Sequence, residues 1–423
     1  MTSADLIVRN CRQLLTCGGP IPKRKAALGD VGLIKNGWIA SLDGKIVFAG
    51  REKEFRKEVK AKRDCRWVDG SGLVGLPGFV DPHTHLPFAG NREGEFALRL
   101  KGYSYTQLAE MGLGIQTTVK ATRRATEDEL IALCLGRLDQ MLLHGTTTCE
   151  AKSGYGLNLK DEIKQLKALR EVGKIHPVDV ISTFMGAHEI PAEYKARKNE
   201  YIDLLIGKVL PEVKKKGLAD FFDIFCERGV FSLADTKKLV KAAQKAGFDI
   251  KVHSDEFVPL GGTEFAAEAG AVSAEHLINI TETGIQKLSR SRTAAVLLPA
   301  VSFFLMLEKK APARELIDSG AVVALATDFN PGSSMTESML FVLQLAVYSL
   351  RLTIEEAINA STANAAYAIR MDKEAGSLEP GKKMDLVLWH VPAYTTLVYH
   401  LGINPVRHVI KNGKMVVKDG IKI

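Results

Sequence analysis

Between residues 78 and 330 the chain repeats one pattern: a short, almost unbroken apolar run, then a stretch that alternates apolar and charged residues at helical spacing. The apolar runs lie at about Gly78–His85, Gly145–Lys152, Val178–His188, Phe221–Cys226, Asp249–Ser254, Ala271–His276, Thr293–Pro299 and Ala321–Asp328. Amphipathic stretches such as Glu127–His144, Lys160–Val172, Leu233–Ala246 and Thr281–Leu288 separate them. Apolar runs bounded by amphipathic helices mark parallel strands that are covered on both faces. Eight such units predict an α/β fold with a closed (β/α)8 TIM barrel.

The two ends follow a shorter rhythm of apolar runs and turns. Near the start, Trp38–Phe48 contains the turn pair Asp43-Gly44. Near the end, Asp385–Trp389 and Val406–Ile410 precede the turn Lys411-Asn412-Gly413-Lys414. Aspartate or asparagine before glycine is a strong hairpin signal. Neither end carries enough strands for a stable sheet of its own. The expectation is a small composite β-sandwich built from residues 1–75 and 375–423, with the catalytic barrel, residues 76–374, inserted between its halves.

Bulk properties narrow the function without naming it. The start lacks a basic segment followed by a continuous apolar core, so no secretory signal is expected. The most apolar stretch, Ala294–Leu307, is broken by Pro299 and Ser302. It falls short of the roughly 20 residues a spanning helix needs, so no membrane partner is expected. Six scattered cysteines without a CxxC pair read as reduced thiols and predict a cytoplasmic location. The net charge of +8 is spread over basic runs such as Lys23-Arg24-Lys25 and Lys214-Lys215-Lys216. These read as solvated faces, with no accompanying nucleic-acid motif. The predicted partner is a small molecule, and a positive field helps to draw in an anionic one.

The candidate chemistry lies at the C-terminal ends of the predicted strands, where TIM barrels build their sites. The first ends Asp81-Pro82-His83-Thr84-His85, and alternation along a strand puts His83 and His85 on one face. The fifth ends His253-Ser254-Asp255-Glu256, the sixth Glu275-His276, and the eighth Thr327-Asp328-Phe329-Asn330. Taken singly, each has an ordinary explanation: a satisfied core histidine, or for Asp328 a helix N-cap. Together, three histidines and an aspartate at the ends of strands one, five and eight form a metal-ligand set. His83, His85 and His253 supply nitrogen and Asp328 oxygen, which suits one zinc or ferrous ion. Such an ion lowers the pKa of a bound water to about 7. Asp328 then binds the ion, accepts a hydrogen bond from the water, or both. Glu256 is placed as a proton shuttle between water and leaving group. His276 is placed to polarise a carbonyl or to hold Glu256, and which of the two takes the first proton stays open.

At these residues the chain resembles the amidohydrolase superfamily. Asp43-Gly44-Lys45-Ile46 and Gly376–Val387 look like that superfamily's terminal signatures. Its binuclear members carry a bridging lysine at the end of strand four, where this chain has Phe221–Glu227 without lysine, and a single metal per subunit follows. Over its whole length the chain is similar to the imidazolonepropionase family, through His83–Arg92, Glu95–Gly102, Glu150–Leu157, Gly186-Ala187-His188 and Thr327–Ser333. Gly94 and Leu113 depart from that family's pattern. The resemblance implies hydrolytic opening of 4-imidazolone-5-propanoate to N-formimidoyl-L-glutamate in histidine degradation, and a homodimer. It also implies that Arg92 holds the substrate's carboxylate tail and that Tyr155 adds a hydroxyl. His188 would hydrogen-bond the carbonyl oxygen, while Asn330, Gly332 and Ser333 present donors to the substrate or product. The bland alternatives are a loop salt bridge for Arg92, a packed aromatic for Tyr155 and a simple turn at Asn330-Pro331-Gly332. A mononuclear purine or pyrimidine deaminase shares the metal pattern and is the rival reading.

Overall fold

The computed structural model describes residues 1–103, 107 and 111–423. Five strands come first: β1 (Thr2–Leu15), β2 (Leu33–Leu42), β3 (Lys45–Arg51), β4 (Val59–Asp69) and β5 (Val74–Pro77). The barrel strands follow: β6 (Phe79–Asp81), β7 (Thr146–Lys152), β8 (Asp179–Ala187), β9 (Phe221–Cys226), β10 (Asp249–Ser254), β11 (Ser273–His276), β12 (Ala294–Leu297) and β13 (Val322–Leu325). Four more, β14 (Leu386–Trp389), β15 (Val406–Lys411), β16 (Lys414–Lys418) and β17 (Ile421–Lys422), close the chain.

Each of the eight apolar runs contains one barrel strand, and all eight pair in parallel in chain order from β6 to β13. Residues of β6, β7, β11, β12 and β13 are buried throughout. The intervening helices begin where the sequence supplies caps. Thr126, for example, accepts from the Glu129 amide to start the helix Glu127–Leu143, which satisfies one of the donors a helix start leaves unpaired.

Both chain ends join one nine-stranded sheet in the order β17-β16-β15-β14-β5-β1-β2-β3, with β4 on β1. The sheet curls so that its two ends meet. Ile46 of β3 and Ile410 of β15 share one buried cluster, and the Met384 amide donates to the Gly44 carbonyl at 2.8 Å. The two predicted hairpin turns are pressed together there. A Cβ on Gly413 would sit 3.0 Å from the Gly44 Cα, and both glycines have positive φ, so side chains are excluded twice over.

Alternation along β14 ties the sheet to the barrel. Leu386 and Leu388 face the sheet's own core, whereas Val387 and Trp389 join the barrel core. Trp389 packs on Phe79 with ring centroids 5.5 Å apart. Lys411, buried, reaches Asp385 at 2.6 Å and Asp179 at 2.7 Å. Because Asp179 opens β8, this contact lies at the barrel's N-terminal face, and the C-terminal face is left for chemistry. No helix among the described residues is long and apolar enough to cross a membrane.

Candidate active site

The barrel closes at the site itself. The sequence pattern put His83 and His85 on strand one, but β6 stops at Asp81, before Pro82, which has no N–H to continue the ladder. The two histidines stand beyond the strand, held by the segment that follows β13. The Asp328 amide donates to the His83 carbonyl and the His85 amide to the Phe329 carbonyl, both at 3.0 Å. Between them Thr84 bridges Phe329, so the expected alternation survives outside the strand. Asp81 fixes the same seam from below, accepting from the Thr327 hydroxyl at 2.5 Å and amide at 3.1 Å. Asp328 has φ 52°, Asp255 φ 53° and His276 φ 75°. Left-handed backbone at three non-glycine residues is costly, and such residues gather at functional sites.

His83, His85, His253 and Asp328 converge as predicted. Asp328 Oδ1 lies 3.1 Å from His83 Nε2 and 3.3 Å from His85 Nε2, and His253 Nε2 lies 3.4 Å from His85 Nε2. Ligands about 2.0–2.1 Å from a tetrahedral ion are separated by roughly 3.3–3.4 Å, which these spacings match. The facing nitrogens also need a cation. His83 Nδ1 is 2.7 Å from Glu275 and His253 Nδ1 is 3.0 Å from Asp223. Each Nδ1 therefore donates outward, which leaves each Nε2 to turn a lone pair inward once a metal takes the place of any proton there. His83 Nε2 and Asp328 Oδ1 are buried without a hydrogen-bond partner. The donor set fits a metal ion.

Beneath the ligands lies a layer of charge that the sequence reading did not assign. Lys152, fully buried, contacts Glu150 at 2.7 Å, Asp223 at 2.8 Å and Glu275 at 3.4 Å. Lys251 reaches the other oxygen of Glu275 at 2.8 Å. The signal was present: Glu150 and Lys152, like Lys251 and His253, stand two apart in otherwise apolar strands and so share a face with the ligands.

Protonation follows from burial and these neighbours. Burial keeps His85 and His253 below the ordinary imidazole range, and lowers His276 to about 4. His83 goes the other way: burial disfavours its charge, but Glu275 and Asp328 raise it to about 9. Asp328 is desolvated too, yet the imidazoles of His83 and His85 beside it hold it well below the carboxylate range. Burial, then Asp328 and Glu227, push Glu256 well above it. An incoming ion must displace the proton on His83. Its apparent affinity should climb about tenfold per pH unit from roughly pH 7 and level off near the His83 value of about 9. Chelator competition at stepped pH reads this, and a flat profile contradicts the protonation assigned to His83.

A cavity of about 640 Å³ opens above the ligands and includes every predicted substrate residue: Arg92, Tyr155, His188, Glu256, Asn330, Gly332 and Ser333. It also takes in Glu95, Arg99 and Phe225, which the sequence reading left out. Four placements refine the expectations. Arg92 is already engaged, its Nε 2.9 Å from Glu95 and its Nη2 on the other carboxylate oxygen. Tyr155 packs against His85 and His188 at ring distances of 5.8 and 5.3 Å. His188 Nδ1 sits 3.1 Å from the Gly154 carbonyl, so it holds the ring proton and Nε2 presents a lone pair. Asn330 accepts from the Gly332 and Ser333 amides at 2.8 and 2.9 Å and donates to the Asp328 carbonyl at 2.7 Å. The loop pairs these amides within itself and so steadies Asp328, while Asn330, Gly332 and Ser333 still line the cavity.

The sequence profile of the amidohydrolase family matches residues 74–416. The chain is 47% identical to the imidazolonepropionase of Symbiobacterium thermophilum, over 99% of each chain. It is likewise 47% identical to that of Geobacillus kaustophilus, over 98% of each. The chain belongs to the imidazolonepropionase family of amidohydrolases. A solved adenosine deaminase from Xanthomonas campestris superposes with a TM-score of 0.73 at 18% identity, covering 100% of this chain and 95% of its own. That likeness shows a common fold and does not reach to substrate.

Proposed function

We propose that the protein hydrolyses the ring C–N bond of 4-imidazolone-5-propanoate, giving N-formimidoyl-L-glutamate in histidine degradation. The observation that carries this reading is the full-length identity to imidazolonepropionases, on a chain whose cavity joins a metal-ligand set to the arginines Arg92, Arg99 and Arg228. The three-nitrogen, one-oxygen donor set of His83, His85, His253 and Asp328 suits zinc or ferrous iron, one per subunit. Held by these residues, such an ion would supply an activated water and a Lewis acid for the carbonyl.

The chain's own groups divide the proton work by their environments. Asp328, ionised, accepts a proton from the attacking water. Glu256, kept protonated, donates one to the ring nitrogen as the C–N bond breaks and the new carboxylate forms. His276, neutral, stands with Nδ1 3.7 Å from a Glu256 oxygen, beside the group that donates the proton. The tautomer set by Gly154 makes His188 Nε2 an acceptor for a ring N–H, rather than the carbonyl donor the resemblance implied. The same reading places the protein in the reducing cytoplasm, where its six free cysteines stay reduced, and makes it a homodimer.

Metal-replete protein given fresh 4-imidazolone-5-propanoate should form formimidoylglutamate without ammonia, and a chelator should stop it. Ammonia release from purine or pyrimidine bases, with no ring opening of the imidazolone, would move the protein to the deaminases.

A further inference from the structure

Glu256 has to deliver a proton from a place that its own carboxyl does not secure. That carboxyl makes no hydrogen bond to the described residues, and its contact with His276 Nδ1 is 3.7 Å long. Its aim must come from the backbone that carries it. Asp255, just before, has φ 53°, a left-handed conformation that persists only where neighbours over-determine it. The segment just after is thinly packed: Phe257 and Pro259 are exposed, and Val258 and Leu260 are only partly covered.

Polar anchors hold this backbone from both sides. Behind Glu256, the Asn279 amide donates to the Asp255 carbonyl and the Asn279 side chain to the Glu256 carbonyl, both at 2.7 Å. The Thr263 hydroxyl donates to Asp255 Oδ2 at 2.5 Å. Ahead of Glu256 the anchor is Glu227, buried just past the end of β9. Its Oε2 accepts from the Phe257 amide at 2.9 Å and the Val258 amide at 3.3 Å, while its Oε1 accepts from the Arg228 amide at 2.8 Å. Glu227 is itself fixed. Its amide donates to the Phe231 carbonyl, and its carbonyl accepts from the Val230 amide, both at 3.1 Å. It lines the same cavity as Glu256.

We propose that Glu227 is a positioning residue, which holds the Phe257 and Val258 amides and so aims Glu256 at the leaving nitrogen. The inference rests on the reading above, in that Glu256 supplies a proton to that nitrogen. Glu227 acts through Glu256 and transfers no proton itself.

Glu227→Gln tests this with little change of shape. A carboxylate accepts at both oxygens and an amide at one, so glutamine must release either Arg228 or the Phe257 and Val258 pair. In the metal-replete, full-length variant these two amides should exchange with deuterium about tenfold faster. Its kcat should fall about 30-fold, since a misplacement of about 1 Å can cost 10²-fold. Metal content should be unchanged and KM should stay within about threefold, while Glu227→Asp, which keeps both acceptors on a shorter stem, recovers part of the loss. In a Glu256→Gln background the same substitution should lower kcat less than about twofold, because no donated proton is left to misplace. Losses that multiply in the double variant, a loss carried by KM, or unchanged exchange at Phe257 and Val258 overturns the proposal. Should Glu227→Gln not fold, Glu227→Asp is taken through the same cycle and judged by the same outcomes. The cycle is scored on whichever substrate the unaltered protein hydrolyses. Ammonia release from a purine or pyrimidine base, with the coupling to Glu256 intact, defeats the ring-opening reading alone. Ring opening with multiplying losses defeats this inference alone.

Discussion

Glu256→Gln is expected to lower kcat by about 10³-fold, with metal content unchanged and KM altered only a few-fold. Glutamine keeps the shape and can still donate a hydrogen bond, but it cannot give up a proton to the leaving nitrogen. The side chain is suited to that loss because burial and the neighbouring Asp328 keep it protonated, and it is not among the metal ligands. The pH profile should change in a specific way. A group that acts in its protonated form loses activity as pH rises through its pKa, so the unaltered protein should show an alkaline limb that Glu256→Gln lacks. The acidic limb belongs to Asp328, depressed by its histidine contacts, and should persist in the variant. Both limbs report the site as a coupled set. A loss smaller than about tenfold would hand the proton donation to His276 or to solvent.

The second large effect concerns stability. Lys152→Met removes the ammonium that three buried carboxylates share, at a cost of about 3–5 kcal/mol, the usual result of stranding buried charge. The loss should be greater in the metal-stripped protein than in the loaded one. With the ion bound, two positive charges still oppose Glu150, Asp223, Glu275 and Asp328 beside Lys251. Without it, only Lys251 and the proton on His83 remain. Denaturant midpoints of the loaded and stripped forms measure both quantities. Equal losses in the two would show that Lys152 supports the barrel without sharing a charge balance with the metal position.

The eight strands could be read because strands buried on both faces are written as apolar runs, and the ligands because strand ends expose what such runs would otherwise hide. What could not be read is partnership. Asp223 and Glu275 look like isolated acids in their strands, and only the neighbouring positions of β9, β10 and β11 bring them to His253 and His83. Arg92 looked like a free clamp because its partner, three residues away, is an equally ordinary surface-type acid. Asn330 carries the residues of a turn and of a binding loop alike, and only the closed loop shows where its amide goes. The tautomer of His188 depends on a backbone carbonyl, which no side-chain pattern can encode.

The composite sheet also dictates when this enzyme can come into being during its synthesis. Strand β5 is flanked by β1 and β14, so a strand complete by residue 77 waits for its second partner more than three hundred residues downstream. The ligand set is spread in the same way, from His83 to Asp328. A ribosome has made nearly the whole polypeptide before the sheet can be completed, and although β1 to β5 pair among themselves, the open edge of β5 must travel uncovered until then. Truncation near the C-terminus is expected to yield an aggregating chain rather than a smaller enzyme, since it leaves long strand edges exposed.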